Sequence, residues 1–285
     1  MVTRNPVLFV SWRSPRTRSI HPVGRLIYRD ELGLYEFVYI RQALNATKEG
    51  FLPFLEFPDL LRVYLSQELF PLFANRVLPN KRPEFGDYTD ALGLTAGTAH
   101  PMLILARTGG RRETDQIEMF PIPLPDVDTG AYVTHCLIRG IKYVPQPFVD
   151  QRIARLQKDE PLFVMWDFQN EVDPTALAVR TSDHVFLGYM PAYLTRDVLK
   201  INASCSKCRV FVERVNLPPA GVHHRLLCRV EGCWPSGFIP YTTDDYLPLQ
   251  PDATDLKEWI EPRLARSSEE HFIMDSVKVS SPVNH

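Results

Sequence analysis

The chain has 285 residues, of which 45% are apolar and 23% charged, a composition typical of a globular protein with one large or two modest hydrophobic cores. Its 32 Lys and Arg nearly balance its 34 Asp and Glu, which argues against a protein that coats duplex phosphates non-specifically. No apolar run approaches the ~20 residues of a membrane-spanning helix, and an odd count of cysteines argues against a secreted disulfide framework, so we expect a cytoplasmic protein with no membrane partner.

Residues 1–120 are predicted to form a mixed domain of strands and helices. An apolar stripe predicts a helix at residues 67–77. A second helix is predicted at residues 81–92, where Pro83 suits the first turn and Gly93 the C-terminal end. Segments rich in β-branched and aromatic residues predict strands at residues 6–12, 24–28, 34–40, 101–107 and 116–120.

A proline-rich linker at residues 121–130 marks the predicted boundary between two domains. Three alternating prolines favour an extended backbone and forbid a helix, and Gly130 permits a turn. Residues 131–246 are then predicted to be mostly β, with one helix at residues 192–201. The predicted strands are residues 132–140, 162–168, 176–180, 185–189, 209–216 and 225–230. Short strands at this spacing are typical of a closed or nearly closed barrel.

Three sequence elements of the second half occur in a recognisable order. They are RGIKY at residues 139–143, QNEVDPTALAV at residues 169–179 and LGYMP at residues 187–191. Through them residues 131–246 resemble the HIRAN domain, whose pattern is a strand ending in Gly-x-Arg/Lys-Tyr, an Asn-Pro-Tyr-Asp-x-Asn-Ala segment and a Gly-Tyr-hydrophobic-Pro element. The resemblance implies an OB-like barrel that binds DNA, in one studied branch a single-stranded 3′ end.

The resemblance places the candidate nucleic-acid-binding residues at Lys142, Tyr143, Asn170 and Asp173. An aromatic face such as that of Tyr143 stacks on any base, which contributes about 1–3 kcal/mol per base, and Lys142 neutralises a phosphate as a point charge. Asp173 accepts a hydrogen bond from a terminal sugar hydroxyl on one interpretation, and caps backbone N–H groups of a turn on the other. Val172 replaces the family's second tyrosine, which favours general single-strand binding over capture of a 3′ end.

Four segments of the first half resemble the small N-terminal subdomain of HipA-type toxin kinases, over residues of about 5–120. They are GRLIYRD at residues 24–30, YEFVY at 35–39, FPLFANRVLP at 70–79 and LARTGG at 105–110. That subdomain is not the catalytic part of such kinases, and the HIRAN-like region occupies the place where a kinase core would begin. We therefore expect no kinase activity.

Four cysteines of the second half follow a C-x2-C…C-x4-C pattern whose first pair has zinc-ligand spacing. They are Cys205, Cys208, Cys228 and Cys233. In a hairpin folded about residues 220–221, Cys208 would lie opposite Cys233 and Cys228 opposite Glu213, with Cys228 and Cys233 about 16 Å apart in an extended strand. Cys228 also alternates with apolar residues, as a buried residue does. The pattern favours reduced cysteines and no cofactor, with a four-cysteine zinc site as the alternative.

Three further features each allow two interpretations. The TGGRR segment at residues 108–112 is predicted to be a hairpin turn with a charged tip, or alternatively a phosphate cradle of glycine N–H groups beside two arginines. His223 and His224 have no partner cluster at metal spacing and are expected to be exposed in a loop. Trp166 and Phe168 lie on one strand face, where the pattern favours a core position over a stacking platform.

The expected fold class is therefore α+β, a mixed α/β domain followed by a small OB-like barrel. Residues 247–285 are expected to form an acidic tail with one helix around residues 255–265. We expect a non-catalytic protein that binds single-stranded DNA or DNA ends and docks a protein partner through its first domain, in DNA repair, mobile-element defence or a toxin–antitoxin-like locus. The alternatives are a regulatory adaptor that binds only protein, and an enzyme, which would require a cluster of carboxylates in one cleft.

Overall fold

Two antiparallel sheets and several short helices make up the described part of the chain, an α+β arrangement as the sequence predicts. The structure is a computed structural model. None of the helices in the described ranges has both the length and the apolar character needed to traverse a lipid bilayer. Those ranges are residues 6–95, 97, 99–126, 129–144, 147–171, 173–204, 208–235 and 238–256.

Five strands of the first half form the first sheet. They are β1 (Leu8–Arg13), β2 (Ile20–Arg29), β3 (Leu34–Tyr39), β4 (Tyr64–Ser66) and β5 (Ile117–Pro121). Their spatial order is β4-β3-β2-β1-β5, and each neighbouring pair is antiparallel. Side chains alternate along β1, so Leu8 and Val10 join one hydrophobic cluster while Phe9 joins another on the opposite face. Both faces of this sheet must therefore be covered.

The first half also contains short helices, and three of them cover the first of these faces. The helices are α1 (Gln42–Lys48), α2 (Pro71–Ala74), α3 (Phe85–Ala91) and α4 (Pro101–Thr108). Residues of α1, α2 and α4 pack into a cluster rich in aromatic rings, in which the Phe37 and Phe57 rings stack with their centroids 4.2 Å apart. This cluster is the main core of the first domain.

Three predictions for the first half differ from the structure. Residues 101–107, predicted as a strand, instead form α4. Pro101 stands in the first helical turn, and the His100 side chain caps the helix by accepting a hydrogen bond from the Met102 N–H. Gly109 ends the helix in the left-handed conformation, at φ 72°. The helix predicted at residues 67–77 is reduced to α2, because a proline at residue 71 is tolerated only at a helix start. The helix predicted at residues 81–92 begins only at Phe85.

Six strands of the second half form a curled sheet, at positions close to those predicted. They are β6 (Tyr132–Leu137), β7 (Pro161–Trp166), β8 (Leu177–Arg180), β9 (Phe186–Tyr189), β10 (Arg209–Val215) and β11 (Leu226–Gly232). Their spatial order is β6-β11-β10-β7-β8-β9. The helices α5 (Phe148–Ala154), which was not predicted, and α6 (Ala192–Ser204) bury apolar residues in the same core.

The two edges of the curled sheet meet just beyond β6. Arg139 and Tyr189 exchange two backbone hydrogen bonds of 2.8 Å, which join β9 to the continuation of β6 and give the sheet a barrel-like shape. Gly188 has φ 145°, and a Cβ atom there would lie 2.3 Å from the Arg139 carbonyl oxygen. The closure therefore depends on glycine at this position.

The second face of the first sheet is covered by the second half of the chain. Phe120 on β5 stacks on Tyr193 of α6 with ring centroids 5.3 Å apart. Phe9 contacts the rings of Tyr241 and Tyr246, at 4.9 and 5.1 Å. A separate apolar cluster joins α3 and α4 to the barrel through Leu92, Ile104, Leu137 and Leu227. The two sheets are thus held together by apolar packing.

Residues 247–256, the start of the expected tail, pack beside the end of β3. The Leu249 N–H donates to the Tyr39 carbonyl, and the Arg41 N–H donates to the Leu247 carbonyl, each at 2.9 Å. The helix expected around residues 255–265 lies, from residue 257 onward, outside the described residues. The packed segment completes the cover over the second face of the first sheet.

A buried carboxyl group in the barrel core makes stability depend on pH. Asp197 on α6 is 6% exposed and accepts a hydrogen bond of 2.9 Å from the Tyr132 hydroxyl. Burial raises the pKa of Asp197 from 3.8 to about 6, although Tyr132 and Lys200 oppose this shift. The folded state therefore binds this proton more tightly than the unfolded state, and the resulting stabilisation is lost as the pH rises through 6.

We expect the Asp197 carboxyl to lower the free energy of unfolding by about 1 kcal/mol between roughly pH 5 and pH 7.5. Asp197→Asn, which keeps an acceptor for Tyr132, should remove that part of the pH dependence. Urea unfolding of both proteins at the two pH values measures it, with the exposed Asp252→Asn as the control. The same pH dependence in wild type and Asp197→Asn would contradict this assignment.

Candidate nucleic-acid interface

A short 3-10 turn, Ile141–Tyr143, carries the first two candidate residues at the rim of the barrel. Gly140 precedes it with φ 77°, a left-handed conformation that lets the chain turn directly after the closure. Ile141 anchors the turn in the barrel core, whereas Tyr143 is 80% exposed. The Lys142 Nζ atom lies 4.9 Å from the centre of the Tyr143 ring. The turn thus presents an aromatic face and a cation side by side.

The loop of residues 167–175, after β7, carries the other two candidates. Asn170 Oδ1 accepts a hydrogen bond of 3.0 Å from the Asp173 N–H, and its Nδ2 donates to Asp167 Oδ2 at 3.2 Å. Asp173 Oδ1 accepts from the Thr175 N–H and hydroxyl, at 2.8 and 2.7 Å, which is the turn-capping role. Both side chains therefore hold the loop in shape. Val172, where the family has a tyrosine, lies outside the described residues.

A chain of contacts connects the 167–175 loop to the turn. Asp167 Oδ2 also accepts a hydrogen bond of 2.8 Å from the Tyr189 hydroxyl. Partial burial and this hydrogen bond raise the pKa of Tyr189, so the hydroxyl keeps its proton. Tyr189 pairs with Arg139 through its backbone, and its ring lies against Gly140, where a Cβ atom would be 3.5 Å from Cδ2. The turn and the loop therefore form one rim of the barrel.

Aromatic side chains at the end of β7 enlarge the exposed surface of the rim. Trp166 is 58% exposed and Phe168 73%, so the expectation of a core position for them is wrong. The Trp166 Nε1–H donates to the Pro174 carbonyl at 2.8 Å, which holds the indole against the 167–175 loop. Alternation identifies a buried face only within a sheet, and β7 ends at Trp166. The stacking-platform alternative fits the observed exposure.

Positively charged groups surround the turn although the chain as a whole is nearly neutral. His223 is exposed in a second 3-10 turn, Val222–His224, as expected for a loop. His224 is half-buried, so the expectation of exposure is wrong for it. The pKa of His223 is lowered by partial burial and by the nearby charges of Lys142, Arg111 and Arg139. These three cations therefore lie near His223, and Glu113 is the acidic residue that opposes their effect.

The TGGRR segment forms the end of α4, so the predicted hairpin turn is wrong. Gly109 and Gly110 have φ 72° and 55°, and the Gly110 N–H donates to the Thr108 hydroxyl at 3.0 Å. A helix end of this kind commonly uses glycine in the left-handed region. The following residues, Arg111 and Arg112, line a cleft of about 320 Å³ on the first domain.

Cys228 is a core residue of the barrel. It is fully buried and lies between Cys136 on β6 and Val212 on β10. The predicted pairing of Cys228 with Glu213 is wrong, because an irregularity between Val212 and Arg214 shifts the register of the hairpin. Its thiol therefore faces apolar neighbours.

The remaining cysteines of the zinc hypothesis differ in their environments. Cys208 is a free, half-buried thiol, and Cys205 lies outside the described residues. Cys233 is disulfide-bonded, so the expectation of reduced cysteines is wrong for this residue. Within the described ranges, no group of three or more His, Cys, Asp or Glu side chains is placed to hold a metal ion. The four-cysteine zinc site stays a prediction.

Comparisons with known proteins find remote likenesses to part of the chain. No family model and no curated protein matches it. Similar solved structures include a protein from Lactobacillus plantarum, with 17% identity, a TM-score of 0.28, and coverage of 35% of this chain and 89% of that one. They also include the HIRAN domain of human HLTF, with 13% identity and a TM-score of 0.26. That match covers 36% of this chain and 75% of the HLTF domain structure. The HIRAN-like and the HipA-like resemblances both stay predictions.

Proposed function

We propose that the barrel rim binds single-stranded nucleic acid, in particular single-stranded DNA or DNA ends. The observation that carries the proposal is the 80% exposure of Tyr143 with the Lys142 ammonium 4.9 Å from its ring centre. An unpaired nucleotide offers a base that stacks on such a ring and a phosphate that pairs with such a cation. A duplex keeps its bases stacked on one another, so the ring selects unpaired strand.

Two other features of the rim extend this binding surface. Trp166 and Phe168 offer further aromatic faces for successive bases. Asp173 uses Oδ1 within its own turn, and among the described residues its Oδ2 makes no hydrogen bond. That oxygen is the acceptor that we assign to a terminal sugar hydroxyl of a DNA end.

The cellular setting follows from the sequence resemblance and is part of the proposal. We infer a non-catalytic role in DNA repair, mobile-element defence or a toxin–antitoxin-like locus. The first domain, which packs against the barrel, would dock a protein partner.

Tyr143→Ala is expected to weaken binding of labelled single-stranded oligonucleotides by about 1–3 kcal/mol, or roughly 5- to 150-fold, because one stacked base loses its platform. Tyr143→Phe keeps the ring and should bind as wild type does. Lys142→Ala should flatten the slope of log K against log salt by about 0.7, the contribution of one phosphate on a single strand. Fluorescence anisotropy across a salt series measures all three.

Controls separate a binding defect from a folding defect. Tyr143 is mostly exposed, so the thermal midpoint of Tyr143→Ala should equal that of wild type within about 2 °C. A blunt duplex of the same sequence should bind more weakly than the single strand. If the protein binds no single strand at roughly 50 mM salt, where phosphate contacts are strong, the proposal is wrong.

A second candidate function, a protein-binding adaptor, has one observation in its favour. Phe163 and Met165 on β7 are 42% and 45% exposed, with the Arg180 guanidinium 4.8 Å from the Phe163 ring centre. Apolar side chains grouped on one strand are typical of protein-binding surfaces. The adaptor function would replace the first proposal if Tyr143→Ala left oligonucleotide binding unchanged while Phe163→Ser abolished capture of a cellular protein partner.

A further inference from the structure

Arginines line a cleft of about 320 Å³ on the first domain, beside strands β1 and β5. Arg13 ends β1, and Arg18 lies in the loop between β1 and β2. Arg111 and Arg112 enter from the segment between α4 and β5. Two segments that are distant in sequence thus bring four guanidinium groups to one concave surface, which we call the arginine cleft.

Two of the acidic residues that line the arginine cleft are engaged in ion pairs. Asp115 pairs with the buried Arg76, with Nη2 and Oδ2 2.5 Å apart. Glu118 lies 2.5 Å from Arg139 and 3.8 Å from Arg111. Their negative charge is therefore largely neutralised by cations, two of which do not line the cleft.

The third acidic residue of the cleft, Glu113, is exposed, so the lining residues carry four positive charges against three negative ones, two of which are paired with cations. The pKa of Arg13 is lowered by burial and by the charges of Arg111, Arg18 and Arg139, although Glu118 opposes this. Among the described residues, neither Arg18 nor Arg112 has an ion-pair partner. Both side chains are exposed and free to contact an anion.

Arg139 connects the arginine cleft to the barrel closure. Arg139 takes part in the barrel closure through its backbone and reaches Glu118 in the cleft with its guanidinium. Lys142 follows three residues later on the rim. His223 lies within electrostatic reach of Lys142, Arg139 and Arg111 together. The Arg139–Glu118 ion pair therefore connects the barrel closure beside the rim with the cleft.

We propose that a single strand bound on the barrel rim continues across Arg139 into the arginine cleft, which holds its phosphodiester backbone. This inference rests on the proposed function of the rim and adds a second contact on the first domain. Guanidinium groups bind phosphate oxygens without reading sequence. A strand that reaches the cleft should therefore bind more tightly, and with a steeper salt dependence, than one that covers only the rim.

The test compares two oligothymidines, one of about 5 nucleotides and one of about 25, around the ~4–16 nucleotides that a single barrel of this kind covers. Arg18→Gln/Arg112→Gln removes the two unpaired cations and leaves the ion pairs of Glu118 intact. For the long strand we expect affinity about 20-fold weaker near 0.1 M salt and a salt slope flatter by about 1.4, which corresponds to two phosphates. Affinity for the short strand should not change.

The matched control is Arg62→Gln/Arg82→Gln, which changes net charge equally at two exposed residues that do not line the cleft. It should bind both strands as wild type does. Equal affinity of wild type and the cleft variant for the long strand, or an equal loss for both strands, overturns the inference and leaves the rim proposal standing. If wild type binds neither strand, the rim proposal fails, and this inference fails with it.

Discussion

Glu36→Gln is expected to lower the free energy of unfolding by about 3–5 kcal/mol, because it removes the buried carboxylate charge that stabilises a buried guanidinium. Glu36 on β3 and Arg25 on β2 are each 1% exposed, with Nη2 and Oε1 3.9 Å apart. Burial lowers the pKa of Arg25 to about 10, while Glu36 and Asp255 act to raise it. The group stays charged at neutral pH, so the folded state must accommodate its charge.

The same carboxylate holds the C-terminal segment on the first sheet. Thr254 donates to Glu36 twice, from its N–H at 3.1 Å and from its hydroxyl at 2.9 Å. Arg25 Nη2 donates to the Thr254 carbonyl. Glu36→Gln should therefore also increase hydrogen exchange at the amides of residues 247–256, since their anchoring to the sheet is weakened.

Urea unfolding followed by tryptophan fluorescence and circular dichroism measures the expected loss. The control is Arg29→Gln, which removes the other cation near Glu36. The Arg29 side chain is 38% exposed, and its Nη1 atom lies 3.4 Å from Glu36 Oε2. Because exposed ion pairs contribute about 0–1 kcal/mol, this variant should stay close to wild type. If the free energy of unfolding of Glu36→Gln lies within about 1 kcal/mol of the wild-type value, the buried Arg25–Glu36 pair is not needed for stability.

The sequence predicts β2 and β3 but cannot identify this buried pair. On β2 and β3 a charged residue between apolar neighbours has the period-2 pattern of a strand with one solvated face. Here both faces are covered, and the cover over Arg25 and Glu36 comes from a segment more than 200 residues later. No local pattern carries that information.

The candidate site is only partly predictable for similar reasons. The Lys142–Tyr143 pair follows directly from a short motif, because a turn after a strand exposes consecutive side chains whatever surrounds it. The exposure of Trp166 depends on where β7 leaves the sheet, which is a property of the register with β8. The arginine cleft combines residues 13–18 with residues 111–118, so only the folded sheet shows it.

Gly188→Ala is expected to lower both the stability of the barrel and its affinity for single strands. Gly188 has φ 145°, a conformation that side chains rarely adopt, which costs about 1–3 kcal/mol. An added Cβ atom would lie 2.3 Å from the Arg139 carbonyl oxygen, a backbone atom that can move only if β9 separates from the continuation of β6. We expect a total loss of about 2–5 kcal/mol in unfolding free energy.

Gly188→Ala should weaken single-strand binding because the closure positions both the turn with Tyr143 and the 167–175 loop. The turn with Tyr143 begins at Ile141, directly after Arg139 and Gly140. The 167–175 loop is held by the hydrogen bond from the Tyr189 hydroxyl to Asp167. When the closure opens, the aromatic face and the loop no longer form one rim, so single-strand affinity should fall about as far as in Tyr143→Ala. The two variants are nevertheless distinguishable, because Tyr143→Ala should leave the unfolding free energy unchanged.

The control for Gly188→Ala is Gly86→Ala on α3, where an added Cβ atom meets nothing within 4 Å. An alanine there should stabilise the protein by about 0.5–1 kcal/mol, because glycine is unfavourable within a helix. Chemical denaturation and anisotropy on the same preparations measure both quantities. Wild-type stability in Gly188→Ala would mean that the closure tolerates a side chain. If a destabilised Gly188→Ala protein binds single strands with wild-type affinity, binding does not depend on the closure. The turn and the 167–175 loop could then not be treated as one binding surface.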